Sequence, residues 1–418
     1  MKLHLDINQT LNQLLLQEDT DQDKRITIED KGSKVFVIDG KNVVVEGTYA
    51  LSNLLQELIL AKESGVDFIE TDKIFELPAN RLSRVIKDYF WEGLTRTMDE
   101  DGLKNVLTDV KSKSGDPIIY VPFTDPVAFD FYTQLAQKYQ FKVVQLPEKI
   151  TPEYVSGIND QGGVLSLKLV EKSGKLVGKP FVVPGGRFNE MYGWDSYFEN
   201  IGLLIDGKIE LAKSMVENFA YQIQHYGKIL NANRSYYLTR TQPPFFSSMV
   251  LEVFNAMPVK ELDWLKENIS IAIKEYETVW MQTNKRLTSN GLNRYFAEGI
   301  GLPPETEEGH YDDILKPYAA ALQMTIPDYE RGYYQRKIQN PELDAYFVHD
   351  RSVRESGHDT SYRLEGICAS LNVVELNAML YKYETDFAQI IGTHFNNEFE
   401  YNQKKYNQEY WLEKAAAR

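Results

Sequence analysis

A chain of 418 residues with 46 Lys+Arg against 61 Asp+Glu carries a net charge of −15, a general field that opposes binding to nucleic acid or to an anionic membrane. Its 43% hydrophobic and 12% aromatic content excludes a disordered chain, and its length suits one large domain or a large one with a small companion. The single cysteine, Cys368, lies in the apolar helical run EGICASLNVVEL and cannot close an intrachain disulfide. With no signal-like start and no apolar stretch long enough for a bilayer, the expected location is a reducing cytoplasm.

In chain order, the first feature is acidic. Asp19, Asp21, Asp23 and Asp30 fall at relative positions one, three, five and twelve of one run, the spacing of oxygen ligands in an EF-hand calcium loop. Lys24 stands where that loop uses glycine, and Asp30 where it uses glutamate. A structural calcium site and a solvated acidic loop are both open readings. The branched runs KVFVI and NVVVEG flank Asp39-Gly40-Lys41-Asn42 and predict a hairpin. Helices are expected over 51–62 and, after Pro78, within 77–98. Residues 1–75 are read as a small mixed N-terminal region and 76–418 as the main domain. Within the latter, Gly115-Asp116-Pro117 and IIYVPFTDP form an extended connection to a helix over 129–139, followed by short strands and turns over 142–178.

Residues 184–204, PGGRFNEMYGWDSYFENIGLL, carry the densest chemistry. Two glycines beside a proline let the backbone approach a ligand closely. Arg187 and Asp195 then offer donors and acceptors to a hydroxyl-rich ligand, while Phe188 and Trp194 offer apolar faces to a sugar ring. A surface turn with a capping Asp195 and a core Trp194 is the plainer alternative. A helix is expected to begin near Asp195 or Ser196. Beyond it, apolar residues recur every three or four positions, predicting helices over 197–204, 209–225, 244–255, 262–281, 312–324 and 366–399. Periodicity alone says mainly helical.

The intervening loops hold two more constellations. Asn231, Asn233, Arg234, Tyr236, Tyr237, Arg240 and Gln242 crowd one connection, the mixture of fixed donors and aromatics that sugar hydroxyls require. Each alone also serves as a turn former or a packing residue. In Glu355-Ser-Gly-His-Asp-Thr-Ser-Tyr-Arg363, Asp359 is either a helix cap or the acid of a glycosidic cleavage.

Taken together, PGGRF with the following WDSY, the run GKILNANRSYYLTRTQPPFF and the stretch ESGHDTSYR resemble three ordered signatures of the trehalase family of glycoside hydrolases. The resemblance implies a mainly α, (α/α)6 toroid that splits α,α-trehalose into two glucoses with inversion, without a cofactor for the chemistry. It makes Asp359 the general acid and places Arg187, Trp194, Asp195, Asn231, Arg240, Gln242, Glu305 and Gly357 against the sugar, with Arg354 and Arg363 as orienters. RITIED is similar to the calcium-binding region of fungal members, which implies a structural Ca2+ held by Asp19, Asp21, Asp23 and Asp30. Two departures stand out. Leu302-Pro303-Pro304-Glu305 lacks the arginine of the bacterial Arg-Pro-Glu-like stretch, so Asn293-Arg294-Tyr295 is an alternative source, and a generic acidic role for Glu305 stays open. The chain also ends before the family's QWDxPxGWxP signature and its glutamate base, so a toroid incomplete at the C-terminus is expected. Hydrolysis of another glucoside, or carbohydrate binding without catalysis, is the alternative function. The expected partner is a small sugar; neither nucleic acid nor membrane is expected, and a regulatory protein partner is left unidentified.

Overall fold

The computed structural model of the protein describes residues 1–38, 43–107, 116–359, 364 and 366–418. Contacts divide the chain into two units, Met1–Glu92 and Gly93–Arg418.

In the first unit the strand Lys2–His4 pairs antiparallel with Phe68–Glu70, and the helices Ile7–Glu18 and Thr48–Glu63 pack on one another. Leu11, Leu14, Leu51, Leu54 and Leu58 recur at helical spacing and are all buried between them. The expected hairpin forms from Val35–Ile38 and Val43–Glu46, with Phe36 opposite Val45 and both side chains buried. Its turn, residues 39–42, lies outside the described residues, as does Gly115. The helix Pro78–Val85, assigned by the sequence reading to the main domain, docks in the first unit instead. Arg81 and Arg84 reach the Glu57 carboxylate at 3.0 and 3.1 Å, and Arg84 also holds Glu76 at 2.9 Å.

The second unit opens with a parallel sheet in which Ile118–Val121 lies between Lys142–Gln145 and Val164–Leu165. The helix Pro126–Ala136 makes the crossover that parallel pairing needs. The stretch read as an extended connection is therefore a central strand. Ile119, Tyr120 and Val121 are fully buried, and a short strand covered on both faces shows no alternation to read. A helix not foreseen, Pro152–Gly157, starts where Thr151 accepts from Tyr154 N at 3.2 Å.

The rest is mainly helical: Asp195–Ile205, Ile209–Tyr226, Phe246–Ala256, Leu262–Glu275 with a π turn over Tyr276–Trp280, Asp312–Ala321, Ile326–Tyr334, Pro341–Glu355, Val374–His394 and Gln408–Ala417. Their inward faces bury Leu203, Phe219, Val250, Leu265, Trp280, Leu380, Phe387 and Trp411. The helices Ile326–Tyr334 and Pro341–Glu355 were not expected, although their starts are marked. Thr325 and Asn340 cap them by accepting from Asp328 N and Leu343 N, and each has proline in its first turn. The single helix expected over 366–399 is broken. A 3-10 turn, Cys368–Ser370, precedes Val374–His394, and Phe399 belongs to a hairpin of Phe399–Tyr401 with Lys404–Tyr406. Asn396, Asn397, Asn402 and Gln403 take the left-handed conformation that stops the helix and turns the hairpin. Glu398 is consequently outside any helix.

Candidate active site

The Pro184 turn is closed by Phe188 N donating to Gly185 O at 2.9 Å. Arg187 is exposed, its guanidinium 4.8 Å from the centroid of the Phe188 ring. From here to Asp195 the chain is stitched onto the 231–242 connection. Glu190 forms a buried ion pair with Arg234 at 2.6 Å, and Asn233 Oδ1 accepts from Met191 N at 2.8 Å. Gly193 N donates to Asn231 O at 3.1 Å, and Trp194 N donates to Gln242 Oε1 at 2.7 Å. A Cβ on Gly193 would come within 2.5 Å of that same Gln242 oxygen, so only glycine allows the approach. Asn233 and Arg234 are thereby framework, while Trp194 and Asp195 are held at the start of the helix Asp195–Ile205.

Arg240 sits at the centre of a second cluster. Its Nη2 donates to Asn231 Oδ1 at 3.2 Å and to Glu305 Oε1 at 2.6 Å, and its guanidinium lies 4.6 Å from the Tyr237 ring centroid. Burial alone would raise the Glu305 carboxyl, but the Arg240 and Arg354 guanidiniums outweigh it and hold the group below its ordinary range. Asn231, Arg240 and Glu305, distant in sequence, thus meet. Arg354 is the second arginine near Glu305. It is anchored to Asp350 at 3.0 Å and Tyr311 at 3.2 Å, whereas Arg294 is spent on the carbonyls of Lys285 and Ala369, both at 2.7 Å.

The third segment arrives through glycine. Gly357 has φ +75°, and a Cβ there would meet Trp194 Cε2 at 2.6 Å, so the indole lies directly on its backbone. The His358 ring stands edge to face against Trp194 at 5.8 Å. Asp359 follows, exposed, and its charge reaches Asp195. Burial first, then the charge of Asp359, raises the Asp195 carboxyl above its ordinary value. Arg363 lies outside the described residues. The anchor of this segment is Glu355, fully buried at the end of Pro341–Glu355. It accepts from Arg286 Nε and Nη2 at 2.8 and 2.7 Å, Phe296 N at 3.0 Å and Thr241 N at 3.2 Å. One carboxylate therefore ties the Asp359 loop to the connection carrying Arg240 and Gln242.

Two of these groups were missed from sequence. Glu355 lay inside a quoted motif without a role, and its partner Arg286 sits in a connection without a recognisable pattern. Glu199 was legible by spacing, since it falls four residues after Asp195 on the same helical face. Both its carboxylate oxygens are buried without a hydrogen-bond partner, and burial followed by the Asp195 charge pushes it up to about 8.

In the first unit, carboxylate oxygens of Asp19, Asp21 and Asp23 lie within 4.8 Å of one another. Lys24 takes φ +65°, the conformation for which EF-hand loops use glycine at that place. Hard oxygen donors so grouped fit a calcium ion. Asp30, expected as a fourth ligand, is instead the clasp of the loop: it accepts from Thr20 N and Thr27 N, both at 2.8 Å, and from their hydroxyls at 3.0 and 3.1 Å. These bonds, the two backbone ones first, hold its carboxyl well below the usual range.

Comparison with known proteins gives concordant matches. Residues 11–39 match the neutral trehalase Ca2+ binding domain and residues 62–418 match Trehalase. A cytosolic neutral trehalase of Neurospora crassa is 48% identical over 417 residues, covering 95% of this chain and 56% of that protein. One from Pyricularia oryzae is 49% identical over 414 residues, covering 94% and 56%. The chain thus spans about half the length of the curated relatives it matches. The solved structure of neutral trehalase Nth1 from Saccharomyces cerevisiae superposes with a TM-score of 0.78 at 44% identity, over 82% of this chain and 65% of that one. The helical array is accordingly of the (α/α)6 toroid class, and with its three signature segments converging on Trp194, Arg240 and Gly357 the chain belongs to the trehalase family.

Proposed function

We propose that this chain supplies the sugar-binding and acid-donating face of an inverting α,α-trehalase acting in the cytosol. The observation that carries the reading is the packing of Trp194 on Gly357, which brings the carboxyls of Asp195 and Asp359 into electrostatic contact beside the Arg240 cluster. Asp359, exposed on its loop, gives its proton to the glycosidic oxygen as the bond to the leaving glucose breaks. Asp195 accepts hydroxyls of the ring stacked on Trp194. Asn231, Arg240 and Glu305 present an alternating donor and acceptor set to the other ring, and Arg187 adds a planar donor fork from the Pro184 turn. Gln242 contributes mainly by fixing the Trp194 backbone. Inversion also requires a carboxylate base for water on the opposite face. The family resemblance assigns it to the family's QWDxPxGWxP section, and the chain spans about half the length of the curated relatives it matches; sugar binding without turnover is the second reading.

In the first unit we assign a structural calcium ion to Asp19, Asp21 and Asp23, with Asp30 shaping the loop rather than ligating. Calcium bound there would offset the repulsion among three carboxylates. Titration calorimetry should show binding that Asp21→Ala abolishes, and equal heats for the two proteins would return the loop to solvent.

Proton NMR of fresh trehalose digests by the chain extended through the family's base-bearing section tests the mechanism. One β-glucose and one α-glucose should appear initially, and Asp359→Asn should be slower by about 10²–10⁴-fold, the range for positioned proton transfer. Only α-anomer at early times means retention and sinks the assignment. Saturable trehalose binding without products, lost in Arg240→Lys, would establish the second reading.

A further inference from the structure

Beside the Arg240–Glu305 pair opens a small cleft whose walls include Ser156, Asn159, Tyr236, Arg240, Glu305 and Arg351. Three of its wall residues carry a buried polar atom with no hydrogen-bond partner: Asn159 Oδ1, Arg240 Nε and Arg351 Nε. A buried donor or acceptor left unmade is destabilising, and their coincidence in one concavity points to an absent ligand. Arg351 is the sharper case. It is 6% exposed and donates to Gly301 O, and among the described residues it makes no ion pair. The backbone passes so closely over it that a Cβ on Gly299 would come within 2.8 Å of Arg351 Cδ. Burial first lowers this guanidinium to about 10, which still leaves it charged at neutral pH. The carboxylate in the wall, Glu305, is already matched by Arg240 at 2.6 Å. The cleft therefore carries one uncompensated positive charge, two idle N–H donors and one idle acceptor.

We propose that this cleft binds a phosphate group, as inorganic phosphate or a phosphate monoester, with Arg351 and Arg240 donating to its oxygens and Asn159 accepting from a hydroxyl of the ligand. Water or a neutral polyol would occupy the donors and leave the charge unmatched. Sulfate matches the charge but brings no proton for Asn159. A tetrahedral oxyanion that retains an O–H, or a monoester whose sugar carries hydroxyls, satisfies all three atoms. Because Arg240 also holds Asn231 and Glu305, occupancy would be felt at the sugar cluster.

Titration calorimetry on the 418-residue chain at neutral pH and constant ionic strength tests this without any turnover, so it stands apart from the trehalase reading. Inorganic phosphate should bind saturably, one per chain, with a Kd of about 1 mM or tighter, and sulfate more weakly. Arg351→Gln should weaken phosphate by at least about tenfold. Since removing a buried arginine can perturb folding, Asn159→Asp provides a second variant: it keeps Arg351 and adds a like charge facing the anion, and should abolish binding. Glucose 6-phosphate binding more tightly than inorganic phosphate identifies the monoester as the ligand, and the reverse identifies the free anion. No saturable heat up to about 10 mM phosphate, or heats unchanged in both variants, would overturn the proposal.

Discussion

Glu355 and Glu199 are both removed from water within the same helical unit, and their surroundings push them in opposite directions. Glu355 receives four donors, two of them from a guanidinium at 2.7 and 2.8 Å. Burial alone would raise it, but Arg286 wins and keeps it below its ordinary value. Glu199 has no partner at either oxygen; the Ser196 hydroxyl one turn back is given to Tyr192 O at 2.6 Å. Burial first, then the Asp195 charge, push it up to about 8, and the nearby Ser196 hydroxyl offsets them only in small part. The lesson is that depth does not set the charge state here, the partner does. Glu355 can serve as a fixed anionic anchor for the Asp359 loop. Glu199 keeps its proton at neutral pH and so adds no further negative charge beside Asp195.

The comparison breaks most severely at Arg286. Arg286→Leu strips Glu355 of its cation and should destabilise the protein by about 3–5 kcal/mol, the usual penalty for orphaning a buried charge. Urea unfolding measures it. The double variant Arg286→Leu with Glu355→Leu should recover much of that loss, because both desolvated charges are gone. A double variant no better than the single one would mean that the pair's role is packing.

The second test moves Glu199. Its folded value lies above its unfolded one, so between about 4.5 and 8 the unfolded chain has released a proton that the folded chain retains. Stability contributed by this group is fully present below about 4.5 and is lost as the pH rises towards 8, by at most about 1.4 kcal/mol per pH unit. Glu199→Gln mimics the protonated acid and removes that slope. Relative to the parent, the variant should therefore gain stability progressively across this window in denaturant melts at stepped pH. Parallel pH profiles for the two proteins would show that Glu199 is ionised when folded.

These contrasts also explain what could be read from sequence. The helices from Asp195 to Trp280 and the motif segments carrying Trp194, Asp195, Asn231 and Arg240 were legible, since amphipathic periodicity and motif chemistry are local. The central strand at 118–121 was not, because continuous burial leaves no period. The helix Pro341–Glu355 was hidden because Arg351, Arg354 and Glu355 are buried polar groups that blur its apolar face. Likewise, nothing near Arg286 announces that it pairs with a residue 69 positions away. Spacing placed Asp30 in the acidic loop, but local periodicity cannot say whether a carboxylate faces a cation or, as here, backbone N–H groups.

Asp30 supplies the finest test of the contrast, a carboxylate stabilised with no cation in hydrogen-bond contact. Its partners are two backbone N–H groups and two threonine hydroxyls. Thr27→Val removes one hydroxyl and leaves Thr27 N in place, so Asp30 should stay depressed, though less than in the parent. A carboxyl with a lowered folded value contributes stability that is present above its unfolded value and lost as the pH falls below about 4. The variant should therefore begin to lose the structure of residues 19–30 at a higher pH than the parent during acid titration, followed by amide NMR shifts of Thr20 and Thr27 in calcium-free buffer. The displacement should be small, because three of the four donors remain. Identical titrations would show that the Thr27 hydroxyl is not part of the clasp, and a collapse of the loop at neutral pH would show that it is the clasp's principal bond. Between those limits, the neutral donors of Asp30 and the guanidinium of Arg286 are two solutions to one problem, holding a carboxylate charged out of water. Glu199, which has neither, keeps its proton instead.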